Sequence, residues 1–308
     1  MTAFLTSWLA SVPTFAVPLL LASVGLILSE RAGILSLGAE GYMAVGAMTA
    51  AIAALSGLGL GVAAVAAVAA GAALALVFGI AVVVFRADQI LAGLAAVALG
   101  VGFTGVVGRS YLHKPFAGLA PLDLGRLADI PLVGPLLFRQ DLLAYVAIAL
   151  TVAAWGFLWR SRAGLAWRAV GEDPATADVA GVDVQAVQLA AVLVSGGFGG
   201  LAGAYLALAG SEVWVDGMVA GRGWIALALV IFARWDPARA LLGALVFGGV
   251  EALLPRLMAI GVAVPVYLMS MLPYLLTIVV LVAAGAARVR RLAEPAALAR
   301  PYIRQDRR

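Results

Sequence analysis

The sequence predicts an all-α polytopic membrane protein with about nine transmembrane helices, in a range of about eight to ten. Three observations carry that prediction. Hydrophobic residues fill 64% of the 308 positions and charged residues only 12%, whereas a soluble domain is roughly half apolar and a quarter charged. The apolar stretches are continuous and rich in Ala, Leu and Val, without the alternation of a barrel strand. They recur along the whole chain at about the 20 residues that one crossing needs.

In chain order the candidate spans are 8–28, 33–55, 58–85, 89–111, 141–159, 185–208, 222–234, 238–257 and 265–285. The N-terminal MTAFLTSWLASVPTFAVPLL has no basic leader and no small-residue cleavage site, so it reads as a retained first span. The 58–85 segment is long enough to tilt, and 222–234 is short. Between spans, 112–140 contains HKPFAGLAPL and IPLVGPLLF, whose prolines predict a packed loop of short turns.

Nineteen of the twenty basic residues are Arg, and seven lie after residue 287. Placing that end in the cytoplasm puts Arg31, Arg86, 160–184 and 234–239 inside as well. Inside segments then hold fourteen basic residues and outside segments six, as the positive-inside rule requires. The expected organisation is a transmembrane domain over 1–287 and a basic cytoplasmic tail over 288–308 that faces anionic lipid and not nucleic acid.

Several chemistries are excluded. The chain has no cysteine, one histidine (His113) and one lysine (Lys114). Neither a metal-ligand spacing nor a Walker phosphate cradle is present, so no metal, cofactor or catalytic residue is expected. If transport is driven by ATP, the ATPase is a separate subunit. The run SGGFGG (195–200) follows no strand and reads as a helix-packing surface.

The stretch GILSLGAEGYMAVGAM (33–48) combines Gly33, Gly38, Gly41 and Gly46 with a carboxylate, Glu40, in an apolar run. A charge at mid-membrane costs about 2.5–3.5 kcal/mol on insertion scales, so Glu40 faces protein or a wet cavity. It either lines a permeation path or accepts hydrogen bonds from amides freed where the segment breaks. Glu251, five residues before Arg256, reads as an ion pair or a snorkelling group. Trp214 suits either a ring-stacking contact at the outer mouth or an interfacial anchor. Gly217, Gly221 and Gly223 echo the first glycine cluster, as in transporters built from two repeats with interrupted helices.

The loop 160–184 carries a short-helix grammar. Asp173 suits an N-cap, Pro174 the first helical position and Gly181 the left-handed C′ position. About two turns of helix result, too few to stand alone in water. The segment is either a coupling helix that docks on a cytoplasmic motor or an ordinary capped loop.

Residues 25–48, GLILSERAGILSLGAEGYMAVGAM, resemble the signature of the permeases of bacterial ABC importers for branched-chain amino acids, simple sugars and nucleosides. The similarity is greatest to the nucleoside-type branch, served by lipoproteins of the basic membrane protein type. IPLVGPLLFRQDLLAYV (130–146), WRAVGEDPATADVAGVDV (167–184) and GRGWIALALVIFARWDPARALLGALVFGG (221–249) extend the resemblance over nearly the whole chain. Ser36 stands where the branch commonly carries Asn; its hydroxyl can still hydrogen-bond, on a shorter side chain.

The resemblance implies a vitamin-B12-transporter-like architecture in the bacterial inner membrane. Its partners would be a second, paralogous permease, an ATP-binding subunit and an extracytoplasmic substrate-binding lipoprotein. Asp173, Pro174, Ala177, Asp178 and Gly181 become the coupling helix. Ser36, Glu40 and Tyr42, with Gly33, Gly38 and Gly41, become the pathway candidates. A nucleoside or related ring-bearing solute is the implied cargo, with sugars or branched-chain amino acids as the alternative. A proton-coupled carrier using Glu40 and a membrane-embedded enzyme are the rivals from other classes.

Overall fold

The structure, a computed structural model, describes residues 2–122, 125, 130, 133–259, 261, 271–272, 274–279, 282 and 294–303. The helices are α1 (Thr2–Glu30), α2 (Ala39–Leu55), α3 (Leu60–Gly79), α4 (Gln89–Val107), α5 (Val133–Leu137) and α6 (Leu142–Arg160). They continue as α7 (Arg162–Glu172), α8 (Pro174–Val179), α9 (Val184–Tyr205), α10 (Arg222–Ala233) and α11 (Pro237–Ala259). Wider π turns, Ile80–Val84 and Leu206–Ser211, extend α3 and α9. The described residues contain no sheet, only two isolated bridges, Leu112 with Trp214 and Pro115 with Val213.

Among the described residues, six helices are long and apolar enough to cross a membrane: Phe4–Glu30, Leu60–Val84, Gln89–Tyr111, Leu142–Arg160, Val184–Ser211 and Pro237–Ala259. This multi-pass arrangement is as expected, and the six are fewer than the expected count of about nine. The 33–55 segment is interrupted, because 33–38 are not helical and α2 keeps only 17 residues. The 222–234 segment yields α10, of 12 residues. At about 1.5 Å per residue α10 is roughly 18 Å long and falls short of a 30 Å hydrocarbon core. The last expected span, 265–285, lies mostly outside the described residues.

Helices α1 and α9 form the interior, and the outer helices α3, α4, α6 and α11 keep most of their surface open. α9 packs on α1, α2 and α3 because its SGGFGG face carries no side-chain bulk. A Cβ on Gly71 of α3 would lie 2.7 Å from the Gly200 Cα.

The loops sort to two ends. Trp167 of α7 donates to the Leu28 carbonyl at 2.7 Å, and Arg31 donates to the Trp235 carbonyl at 3.0 Å. The Arg31 turn, α7–α8, the α10–α11 turn and residues 294–303 therefore share one end. At another place 112–116 is tied to 212–214, with His113 N–H on the Trp214 carbonyl (3.0 Å) and Phe116 N–H on Glu212 (3.1 Å). This is the grouping that the charge alternation predicts.

Candidate functional site

Polar backbone inside a bilayer needs partners, and the break at 31–38 supplies them locally. Gly33 turns the chain at φ 86°. Its N–H reaches the Glu30 carbonyl (2.9 Å), and Ile34 N–H reaches that of Ser29 (3.2 Å). The Ser29 hydroxyl returns a bond to the Ile34 carbonyl (3.0 Å), and Leu35 N–H donates to Gln89 Oε1 (2.7 Å). Ser36 and Tyr42 are buried and share a hydroxyl–hydroxyl bond of 3.1 Å. The Tyr42 ring covers Gly38, where a Cβ would sit 2.6 Å from the ring carbon that bears the hydroxyl. Gly41 lets α2 lie on the Ala96–Val97 backbone of α4.

Glu40 does not serve its own break. Its Oε1 accepts from Gly221 N–H (2.7 Å) and its Oε2 from Gly223 N–H (2.8 Å). The expectation that Glu40 accepts from amides freed at its own break is not met: the amides it holds are those at the head of α10. A negative group there also complements the helix dipole. The two glycine clusters that echo each other in sequence thus meet through this carboxylate.

Arg222, the first residue of α10, bonds Glu251 Oε2 through Nε (3.1 Å) and its terminal nitrogen (3.0 Å). Glu251 therefore pairs with Arg222 and not with Arg256, whose Nε reaches the Ser11 hydroxyl at 3.3 Å. Sequence distance favoured Arg256; the packing of α10 against α11 decided otherwise. The Tyr274 hydroxyl, half-exposed, donates to the Ala220 carbonyl at 3.4 Å and completes the cluster.

The far end of α10 is held by the same chain segment. Trp235 Nε1 donates to Glu30 Oε2 at 2.5 Å. Arg31 places its guanidinium on the Trp235 and Arg234 carbonyls at 3.0 and 3.4 Å. Residues 30–40 thus run the length of α10, with a cation at its C-terminal carbonyls and a carboxylate at its N-terminal amides.

In the 160–184 loop the helix grammar is realised. Asp173 caps α8 by accepting from Ala175 N–H (3.0 Å), Thr176 N–H (3.1 Å) and the Thr176 hydroxyl (2.5 Å). Those bonds, the Thr176 hydroxyl foremost, hold its carboxyl below the usual carboxylate range. Pro174 opens the helix, and Gly181 closes it at φ 89° with its N–H on the Asp178 carbonyl (3.0 Å). Ala177 is buried against Val170 and Val184, whereas Val179 is 90% exposed.

Part of the expected basic tail over 288–308 lies within the described residues. Residues 294–303 are packed on the protein: Ala297 N–H bonds the Gly171 carbonyl (2.9 Å) and Ala299 N–H the Gly33 carbonyl (3.2 Å). Trp214 is 1% exposed and clusters with Ala47, Met48, Ala51 and Ala207, so it is not an interfacial anchor in this conformation; it lines a small cavity with Thr104, Arg109 and Asp216. Sequence reading did not single out Glu30, Arg31, Arg222 or Trp235 as a group. The available signal was charge beside glycine: Glu30-Arg31 precedes Gly33, and Arg222 sits between Gly221 and Gly223.

Comparison with known proteins places these features. The profile of a family described as "Branched-chain amino acid transport system / permease component" matches residues 8–281. A protein of Haloferax volcanii named "Putative glucose ABC transporter permease protein TsgC13" is 39% identical, over 94% of this chain and 95% of its own. The guanosine ABC transporter permease protein NupQ of Bacillus subtilis is 35% identical over 95% of both chains. The nucleoside ABC transporter permease protein NupC of Lactococcus lactis subsp. cremoris is 33% identical over 88% of this chain and 90% of its own. No solved structure matches the chain.

Proposed function

The chain belongs to the family of branched-chain amino acid transport system permease components, and we propose that it forms one wall of an importer pathway for an uncharged polar solute, a nucleoside first. As a member of that family it is an ABC transporter permease, and the energy for transport comes from an ATP-binding subunit.

One observation carries the choice of solute. Each charged side chain at the broken head of α10 already has a partner within the protein, Glu40 two backbone amides and Arg222 the Glu251 carboxylate. Glu40 occupies the two amides that an anionic ligand would take, and Glu251 neutralises Arg222. A zwitterionic amino acid would have to displace one of these pairs, whereas a nucleoside or sugar needs only hydrogen bonds. The names of the nucleoside, guanosine and glucose relatives agree with a neutral cargo.

In this reading α10, ending inside the bilayer, and the 31–41 break flank the pathway. Glu40 holds the two together. Ser36 and Tyr42 brace the break from behind, and Gly33, Gly38 and Gly41 permit the backbone turn and the close approach. A second permease of similar sequence covers the opposite side in a vitamin-B12-transporter-like pair. An extracytoplasmic lipoprotein delivers the solute at the 112–116 and 211–215 end. At the other end α8, with exposed Val179, docks on the ATPase of the cytoplasm.

The test is uptake into proteoliposomes that hold the permease pair, ATPase and receptor. Labelled guanosine should accumulate with ATP, leucine should not compete, and glucose competition decides between the two neutral solutes. Leucine uptake would overturn the neutral-solute reading. Uptake by the permease alone on an ion gradient would overturn the ATP-driven one.

A further inference from the structure

Residues 294–303 cross from α8 to the membrane break. The Tyr302 hydroxyl donates to Asp178 Oδ2 of α8 at 3.1 Å, and its ring packs on the small cluster of Val170, Ala177 and Val184. Ala296 N–H reaches Glu172 Oε2 at 3.3 Å, and Ala297 N–H reaches the Gly171 carbonyl at 2.9 Å, both at the end of α7. Ala299 N–H then bonds the Gly33 carbonyl at 3.2 Å, where the 31–38 break begins. Pro295 is buried, and Leu298 packs against the main core.

We propose that this strap is a positioning element that carries displacement of α8 to the Gly33 turn, with Tyr302 as its contact on α8. The inference rests on the reading of α8 as the ATPase-docking helix. A helix of six residues does not hold its own place, so what pins it determines where a push on it goes. The Asp173 cap is internal to α8, and Ala177 faces α7 and α9. α7 itself reaches the turn through Gly171, whose Cα would lie 3.5 Å from a Cβ on Gly33. Among the described residues the strap adds a second link, from the far side of α8 at Asp178 to the same turn. Gly33 has a left-handed backbone, beyond which lie α2, Glu40 and the head of α10. The strap's contacts on the Glu172 and Asp178 side chains are at exposed or half-exposed positions, so they can be exchanged with water as α8 moves.

The assembled importer in proteoliposomes tests this. Tyr302→Phe keeps the ring packing and removes only the hydroxyl. Solute carried per ATP should fall about three- to tenfold, the effect of one lost hydrogen bond. Co-purification of the ATPase and its KM for ATP should stay unchanged. An unchanged transport ratio would overturn the strap's role. Because the chain has no native cysteine, Ala296→Cys gives a single reporter on the strap. Its maleimide labelling rate should differ between nucleotide-free and ATP–vanadate states, and equal rates would overturn the proposal.

Val179→Glu separates the two readings, since this exposed valine supports no core. Release of the ATPase with a normal Tyr302→Phe ratio would remove the strap's role alone. Retention of the ATPase would remove the docking assignment and, with it, this inference.

Discussion

α9 and α10 are neighbours in the chain, but they are held in different ways. α9 is fixed by close approach: a Cβ on Gly203 would sit 2.7 Å from the Ala47 amide nitrogen of α2, and its glycine face touches two other helices. α10 buries Ile225, Ala226, Leu229 and Val230 in the core, but its tips are also held by side chains, Glu40 on two amides and Glu30 and Arg31 at the opposite end. Close packing is lost only by separating helices. A few hydrogen bonds at helix ends can be broken and remade one at a time. In the proposed transport cycle, the difference makes α9 the frame and α10 the part expected to shift.

Breaking the frame should have the largest effect. Gly203→Leu drives a side chain into the α2 backbone, beyond the about 1–3 kcal/mol of ordinary overpacking. The expected outcome is loss of monodisperse protein in detergent, measured by size-exclusion yield. A well-folded Leu variant would show that α9 and α2 can part, and would remove the contrast.

Releasing one tip of α10 should come next. Glu40→Ala leaves two amides unpartnered, about 1–3 kcal/mol each. It should lower the thermal midpoint while sparing assembly, and abolish ATP-driven uptake. Glu40→Gln is not a silent control, because both carboxylate oxygens accept and an amide NH2 would face an N–H. It should fall between wild type and Ala in both measurements. Arg31→Lys at the other tip loses the fork that spans the Trp235 and Arg234 carbonyls. A smaller loss of about 1 kcal/mol is expected in the same melt.

The smallest effect belongs to α8, outside the frame. The Asp173 carboxyl is held below its ordinary value of 3.8 by its bonds to Thr176 and Ala175. Its contribution is therefore complete above that value and is lost as pH falls through the lower folded one. Amide exchange at Ala175 and Thr176, corrected for intrinsic rates, should speed up on acidification. Asp173→Asn should flatten that response while keeping a cap.

The polytopic helical class, the interruption at Gly33–Gly41 and the capped helix at 173–181 were legible because each follows from local chemistry. Continuous apolar runs have one solution in lipid, glycine at positive φ marks a turn, and Asp-Pro with a later Gly spells a short helix. The shortness of 222–234 was legible; that α2 keeps only 17 residues of the 33–55 segment was not. Hydropathy measures burial from water and does not distinguish a crossing from a half-helix enclosed by protein.

The sequence by itself determined that this chain crosses the membrane several times, contains no Walker phosphate-binding pattern and puts a carboxylate among glycines at residue 40. Only the tertiary structure decided which partner each charge has. Glu40 is 181 residues from the Gly221 amide it accepts from, and Glu251 is 29 from Arg222. Pairings at such separations are set by which helices pack together, and packing is a property of whole surfaces that no local spacing encodes.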